Sequence, residues 1–257
     1  MNKALVIYNN PWIFAQSISV LEEYKISDYD VLINEKYHNT KKQVEHSKWW
    51  LLEYVDKQIT DINNLKYEYN IIIRPTPIKD DWLWFIYKKY PKAHYIYIEE
   101  WMWFYISELK DWKLSQYDKY FNQWEVYLTY PNKLKWSKSL NNKRVFEIVK
   151  ERYKKDLEHL PKDIKTIIFT EPIVFDENDK TYKDKVTKLT NKYPKPILIK
   201  RHFRDDTKYQ YWEGVYECFN KIPWQLFFNL YPQSKLIFTG NTTLELYIHD
   251  KTRIIKI

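Results

Sequence analysis

The densest collection of chemically capable groups lies in Ile197-Leu198-Ile199-Lys200-Arg201-His202-Phe203-Arg204-Asp205-Asp206. A strand of this kind delivers Lys200, Arg201, His202 and Arg204 to its carboxyl end, which is where open α/β sheets place ligand groups. Three cations around an imidazole suit a phosphorylated ligand: the cations neutralise its charge, and the imidazole can donate a proton near neutral pH. Without a ligand the same residues are a solvated basic loop.

Three further segments have the same form. Ile167-Ile168-Phe169-Thr170-Glu171-Pro172-Ile173-Val174-Phe175-Asp176-Glu177 ends a strand in acids. Neighbouring carboxylates raise one another's pKa, which makes Asp176 a tunable base, although it suits a helix cap or turn equally well. Leu236-Ile237-Phe238-Thr239-Gly240-Asn241-Thr242-Thr243-Leu244 presents backbone N–H groups and hydroxyls at a turn that opens a helix. That arrangement can seat a phosphate or simply cap the helix. In the first half, Glu99 and Glu100 end a strand beside Trp101, Met102, Trp103, Phe104 and Tyr105. Acids against aromatic faces can hold a sugar, but aromatic residues are abundant enough here to cluster by packing alone. Asn10 and Gln16, near the end of the first strand, are further candidates.

These segments need strands to carry them. Ala4 to Tyr8 is an apolar run closed by Asn9-Asn10-Pro11, and the apolar spacing from Trp12 to Tyr24 is helical. Strands are predicted at Asp30 to Ile33, Tyr69 to Ile73 and His94 to Ile98, with helices within Lys42 to Leu65 and from Trp82 to Tyr90. The stretch from about Lys110 to Leu160 is less regular, reads as a domain connection, and contains a predicted helix from Asn142 to Leu160. The pattern then resumes: strand Thr166 to Phe169, helix Tyr182 to Lys192, strand Pro196 to Lys200, helix Pro223 to Leu230, strand Lys235 to Phe238 and helix Thr242 to Tyr247. Strands alternating with helices point to parallel sheets covered on both faces. The expected architecture is two α/β domains, 1–155 and 156–257, with a cleft between them.

Composition bounds the function. The 257 residues carry 44% hydrophobic and 30% charged side chains, enough for a real core. A formal net charge of +8 favours an anionic partner. The positive residues interleave with acids instead of forming a stripe, which argues against nucleic acid. The single cysteine, Cys218, excludes an intrachain disulfide framework, fits a reducing compartment and reads as a packed thiol. The N-terminal segment reads as a strand, not a signal peptide, and no apolar stretch is long enough to span a bilayer. There is no P-loop, Gly-x-Gly-x-x-Gly fingerprint, Gly-x-Ser-x-Gly elbow or His-Glu-x-x-His site. Only Gly214 and Gly240 are glycines, so turns needing positive φ are expected on Asn or Asp.

Taken together, the chain resembles the bacterial sialyltransferases of the lipooligosaccharide type, glycosyltransferase family 52, and more loosely the neighbouring bacterial sialyl- and polysialyltransferases. The resemblance is carried by Thr170-Glu171-Pro172 with Asp176, by Ile199-Lys200-Arg201-His202-Phe203-Arg204-Asp205, by Ile222-Pro223-Trp224-Gln225-Leu226, and by Thr239-Gly240-Asn241-Thr242-Thr243-Leu244. It extends to Asn10-Pro11 with Gln16-Ser17 and to Ile98-Glu99-Glu100-Trp101-Met102-Trp103-Phe104-Tyr105.

The resemblance implies a GT-B architecture of two Rossmann-like domains facing a central cleft, with the acceptor side in the N-terminal domain and the donor side in the C-terminal one. It implies inverting transfer of sialic acid from CMP-sialic acid to a terminal sugar of a bacterial surface glycan, with no cofactor and no metal. Asp176 would be the general base and His202 the proton donor to the departing phosphate. Lys200, Arg201, Arg204, Gln225, Gly240, Asn241, Thr242 and Thr243 would bind the donor. Asn10, Gln16, Glu99, Glu100, Trp101 and Trp103 would face the acceptor or the cleft. A donor other than CMP-sialic acid, or an inactive nucleotide- or glycan-binding relative, is the alternative. The expected partners are the donor and a glycan or glycolipid acceptor. The expected location is the cytoplasm, with peripheral contact to the inner face of the inner membrane; a homodimer is left open. The chain departs from the family pattern where Arg201 and Phe203 replace prolines beside the histidine, where Gln225 replaces a carboxylate, and where Trp101 and Trp103 stand in place of small residues.

Overall fold

A computed structural model describes residues 3–8, 10–33, 58–59, 65, 68–75, 81–98, 123–128, 138–170, 179–202, 212–218, 222–239 and 251–256. The chain divides into two compact units, Met1–Val149 and Lys150–Ile257. Each is built on one all-parallel sheet, so the protein is α/β with two Rossmann-like sheets.

The first unit contains β1 (Ala4–Tyr8), β2 (Tyr29–Ile33), β3 (Gln58–Ile59), β4 (Ile71–Pro75), β5 (His94–Ile98), β6 (Gln123–Leu128) and β7 (Lys138–Ser139). They form a seven-stranded sheet in the order β3-β2-β1-β4-β5-β6-β7. The central strand Ala-Leu-Val-Ile-Tyr is buried along its whole length. That is why it reads as a continuous apolar run without alternation. Helix α1 (Pro11–Glu23) follows it and packs on β1, β4 and β5. Asn10 starts α1 by accepting the Ile13 N–H on its side-chain oxygen at 3.0 Å, and Pro11 occupies the first turn, where its missing N–H costs nothing. At the other end Lys25 N–H donates to Glu22 O at 3.1 Å and Ile26 N–H to Leu21 O at 2.9 Å, a Schellman closure with Lys25 in the left-handed region at φ 55°. Helix α2 (Asp81–Lys89) joins β4 to β5, and α3 (Asn142–Arg152) carries the chain from the first unit into the second.

The second unit contains α4 (Lys154–Leu157), β8 (Thr166–Phe169), α5 (Asp179–Lys192), β9 (Ile197–Lys200), β10 (Val215–Glu217), α6 (Trp224–Leu230), β11 (Lys235–Phe238), a 3₁₀ turn at Lys251–Arg253 and β12 (Ile254–Lys256). The sheet order is β10-β9-β8-β11-β12. Its core joins Ile168, Ile197, Ile199, Val215 and Ile237 from the strands to Val186 and Leu189 of α5. On β8 and β11, Phe169 and Phe238 stack at 5.0 Å, and Phe228 of α6 meets Phe169 edge-on at 5.5 Å.

Several sequence expectations need correction. The strand expected at Tyr69 to Ile73 runs from Ile71 to Pro75. Tyr69 is occupied elsewhere: its hydroxyl donates to Asp30 Oδ2 at 2.6 Å and its ring meets Tyr90 edge-on. Within the span Lys42 to Leu65, where a helix is expected, Gln58–Ile59 forms β3 and pairs with β2 through Val31 and Leu32, while 42–57 and 60–64 lie outside the described residues. The stretch from Lys110 to Leu160 is more than a connection, since β6 pairs with β5 along five residues, His94 to Ile98. The helix from Asn142 breaks at Tyr153, whose side chain is fully buried and whose backbone leaves the helical region at ψ 15°. Strands β10 and β12 were not foreseen. Among the described residues, the non-glycine positive φ falls on Lys25 instead of Asn or Asp, because a Schellman closure demands that conformation of whatever follows the helix. The helix expected from Thr242 to Tyr247 lies outside the described residues.

Candidate functional site

The two sheets share one winding plan. In each, the first strand lies centrally, the next is added on one side, and the order then reverses, between β1 and β4 in the first sheet and between β8 and β11 in the second. The carboxyl ends of the strands at such a reversal open a crevice where ligands bind in open α/β sheets. In the second unit β9, β8 and β11 are consecutive neighbours, so Lys200-Arg201-His202, Thr170 and Thr239 come to one edge of that sheet.

That edge is tightly connected. Thr170 N–H donates to Lys200 O at 3.2 Å, and the His202 N–H donates back to Thr170 Oγ1 at 3.2 Å. The β8–β9 ladder therefore continues past its last strand residues and fixes the backbone that holds the imidazole. Lys200 is 5% exposed, and its ammonium donates to Arg201 O at 2.7 Å, turning inward along its own chain. Arg201 is paired with the carboxylate of Glu217 at the end of β10. The positive charge expected of this loop is therefore partly countered by a neighbouring acid that sequence reasoning missed.

On the other side of β8, both the N–H and the hydroxyl of Thr239 donate to Phe169 O, at 3.3 and 3.2 Å. Lys185 of α5 donates its ammonium to Thr239 O at 3.0 Å, adding a cation at the end of β11. The sequence signal for Thr170 and Thr239 was their place directly after apolar strands. Lys185 and Glu217 gave no such signal, since their contacts join segments distant in sequence.

Gln225 is the second residue of α6 and half-buried. A helix that returns the chain between parallel strands starts at their carboxyl edge, which is the edge that carries His202. Cys218 is 2% exposed, and burial pushes its thiol up to about 12, so it is a packed thiol and not a nucleophile. Asp176, which falls between β8 and α5 in sequence, lies outside the described residues, as do Arg204, Gly240, Asn241, Thr242, Thr243, Glu99, Glu100, Trp101 and Trp103.

In the first unit Asn10 is committed to capping α1, and Gln16 is buried within that helix. Among the described residues no group of three His, Cys, Asp or Glu side chains could hold a metal ion, and no helix is long and apolar enough to cross a membrane. No protein-family model matches the chain, and no curated protein matches it.

Proposed function

We propose that the protein is an inverting glycosyltransferase that moves sialic acid from CMP-sialic acid to a terminal sugar of a bacterial surface glycan, as the resemblance to the lipooligosaccharide sialyltransferases implies. The observation that supports this most directly is the tie between His202 and Thr170, which sets an imidazole and flanking cations at the carboxyl edge of a Rossmann-like sheet. In this reading the two units are the halves of a GT-B transferase, with the second holding the donor. Thr242 and Thr243 grip the donor phosphate, and Gln225 lies near the ribose. Lys200, Arg201 and Arg204 stabilise charge as it develops on the leaving phosphate, the usual largest contribution in such catalysis. Asp176 takes the proton of the acceptor hydroxyl. The bond from sialic acid to the phosphate oxygen breaks as the new glycosidic bond forms on the opposite face, and His202 protonates the departing CMP. The net charge of +8 would hold the enzyme against an anionic inner leaflet from the cytoplasmic side.

Calorimetric titration with CMP, against CDP and UDP, tests the donor assignment. The expected result is selective CMP binding that a Thr242→Ala, Thr243→Ala double variant loses. Sialyl transfer should then be abolished by Asp176→Asn and by His202→Ala. Preference for UDP would redirect the reading to another nucleotide sugar. CMP binding with no transfer by the wild type to any glycan would favour the inactive binding relative. A folded chain that binds no nucleotide would overturn the donor assignment altogether.

A further inference from the structure

The starts of the strands in the second sheet form an edge of their own, at the opposite end of the strands from His202. Lys165 N–H donates to Pro196 O, Lys235 N–H to Lys165 O and Ile197 N–H to Gly214 O, each at 2.9 Å. The residues that lead into β10, β9, β8 and β11 therefore stand in one row. The Tyr231 hydroxyl donates to Pro161 O at 3.0 Å and the Ser234 hydroxyl to Ile164 O at 2.5 Å, which holds 161–164 against the same edge. Helix α5 also ends here, at Lys192, because a helix that returns the chain between parallel strands runs from their carboxyl edge to their amino edge.

Among the described residues this edge carries an excess of one charge. Lys162, Lys165, Lys192, Lys195 and Lys235 are exposed, against two exposed acids, Asp163 and Glu213. Asp163 lies 3.6 Å from Lys165, while the Lys195 ammonium donates to a carbonyl, that of Glu213, at 2.7 Å. At the opposite edge Lys200 is buried and Arg201 is paired with Glu217. On the surface of α3 and α4, Arg144 and Lys154 lie near Glu147 and Glu151, at 3.7 and 3.9 Å. Trp212 stands in the same row as the lysines, in the turn closed by Val215 N–H to Trp212 O at 3.0 Å. It is 51% exposed, although an indole is ordinarily well buried. An indole among lysines fits the interface of an anionic bilayer, where the ring sits at headgroup level and ammonium groups on long apolar stems meet lipid phosphates. Nucleic acid fits less well. The exposed cations here are all lysine, without an arginine fork, and among the described residues one exposed ring gives no platform for successive bases.

We infer that the amino edge of the second sheet is the surface by which the protein docks on an anionic lipid bilayer, with Trp212 as its interfacial anchor and the five lysines as its charge. The inference rests on charge and exposure at this edge and not on the transferase reading. A strand of four residues such as β9 is about 13 Å long, so docking holds His202 about that far from the lipid, at the edge turned away from it.

The test is co-sedimentation of the intact chain with vesicles of phosphatidylcholine alone and of phosphatidylcholine mixed with phosphatidylglycerol. Attraction of about fivefold per lysine, acting through the three lysines that the two acids leave in excess, should make the wild type partition about a hundredfold more strongly onto the anionic vesicles. Added salt should remove the preference. Lys165→Gln, Lys192→Gln and Lys235→Gln combined should bring partition close to its level on the neutral vesicles. The same change of charge made at Lys143, Lys150 and Lys154, on α3 and α4, should leave most of it. Trp212→Ala should weaken binding severalfold while its salt dependence stays the same. These side chains are exposed, so each variant should melt as the wild type does. Equal losses from the two triple variants would overturn the docking edge, as would equal partition onto neutral vesicles or none onto either. Single-stranded DNA bound as tightly through the same three lysines would overturn the choice of lipid. CMP titration of the wild type reports on the other edge separately. A chain that docks but takes no CMP keeps this surface and sinks the donor reading; a chain that takes CMP and ignores the vesicles does the reverse.

Discussion

The backbone N–H of His202 and the hydroxyl of Thr170 are joined at 3.2 Å across the ends of two adjacent parallel strands. The backbone that carries the imidazole beyond β9 is thus positioned from β8, and a segment that looks solvated in sequence is anchored to the sheet at His202.

Replacing Thr170 with valine keeps the shape of the side chain and removes that anchor. Under the transferase reading, Thr170→Val should lower turnover by about tenfold through loss of alignment, with CMP affinity nearly unchanged. Thr170→Ser should restore most of the rate. Steady-state kinetics of the three chains decide it, and an unchanged turnover in the valine variant would remove Thr170 from any positioning role.

The pair between Arg201 and Glu217 makes an electrostatic prediction. Glu217→Gln removes a negative charge facing the edge where an anionic donor would bind. Affinity for CMP should rise by about threefold to tenfold at low ionic strength, and the gain should shrink as salt is added. If affinity falls instead, Glu217 acts by orienting Arg201, and its charge is not a brake.

Glu125 of β6 predicts a pH dependence. Burial acts to raise the pKa of its carboxyl, but the ammonium of Lys138 at 2.7 Å, the hydroxyl of Tyr24 and His94 at 3.7 Å outweigh burial and hold it below the usual 4.5. A carboxylate whose folded pKa is depressed contributes stability that is complete above the unfolded value and lost as pH falls through the folded one. Glu22, bonded to Arg144 at 2.7 and 2.8 Å, shifts in the same direction and adds to the same acid loss. Glu125→Gln should therefore cost about 1–2 kcal/mol at neutral pH, and its unfolding curve should converge on the wild-type curve in acid. A constant difference across that range would show that the cost comes from packing.

Lys25 predicts a gain. It occupies the left-handed position that closes α1, at φ 55°, where a residue with a Cβ is strained and glycine is the usual choice. Lys25→Gly should stabilise the chain by about 0.5–1 kcal/mol, less than the full strain because glycine also enlarges the unfolded ensemble. Denaturant midpoints compared at constant slope measure it.

The sequence showed the central strands clearly and the edges poorly, for a physical reason. Ala4 to Tyr8, His94 to Ile98, Thr166 to Phe169 and Lys235 to Phe238 are covered on both faces or nearly so, and they appear as apolar runs. Gln58-Ile59, Val215 to Glu217 and Ile254 to Lys256 are short edge or near-edge strands, paired mainly by backbone hydrogen bonds, and the side chains give little sign of them. The candidate site divides similarly. Lys200, Arg201 and His202 stood out because their type and their position after a strand are local properties. Their partners Thr170 and Glu217, and Lys185 beside Thr239, follow from strand register and helix packing across long separations, which no window of sequence contains.

The central position of β8 has a consequence for synthesis. One of its flanks is covered by β9, soon after it in sequence, but the other waits for β11, and the contact between Phe169 and Thr239 spans 70 residues. On the ribosome, the β11 flank of β8 stays unpaired until residues 235–238 emerge, leaving an apolar strand edge open to other chains. The corresponding gap in the first sheet, between β1 and β4, closes earlier in the chain. Each unit thus carries a central strand whose second flank is open to other chains for a long stretch of synthesis, in the first until β4 and in the second until β11.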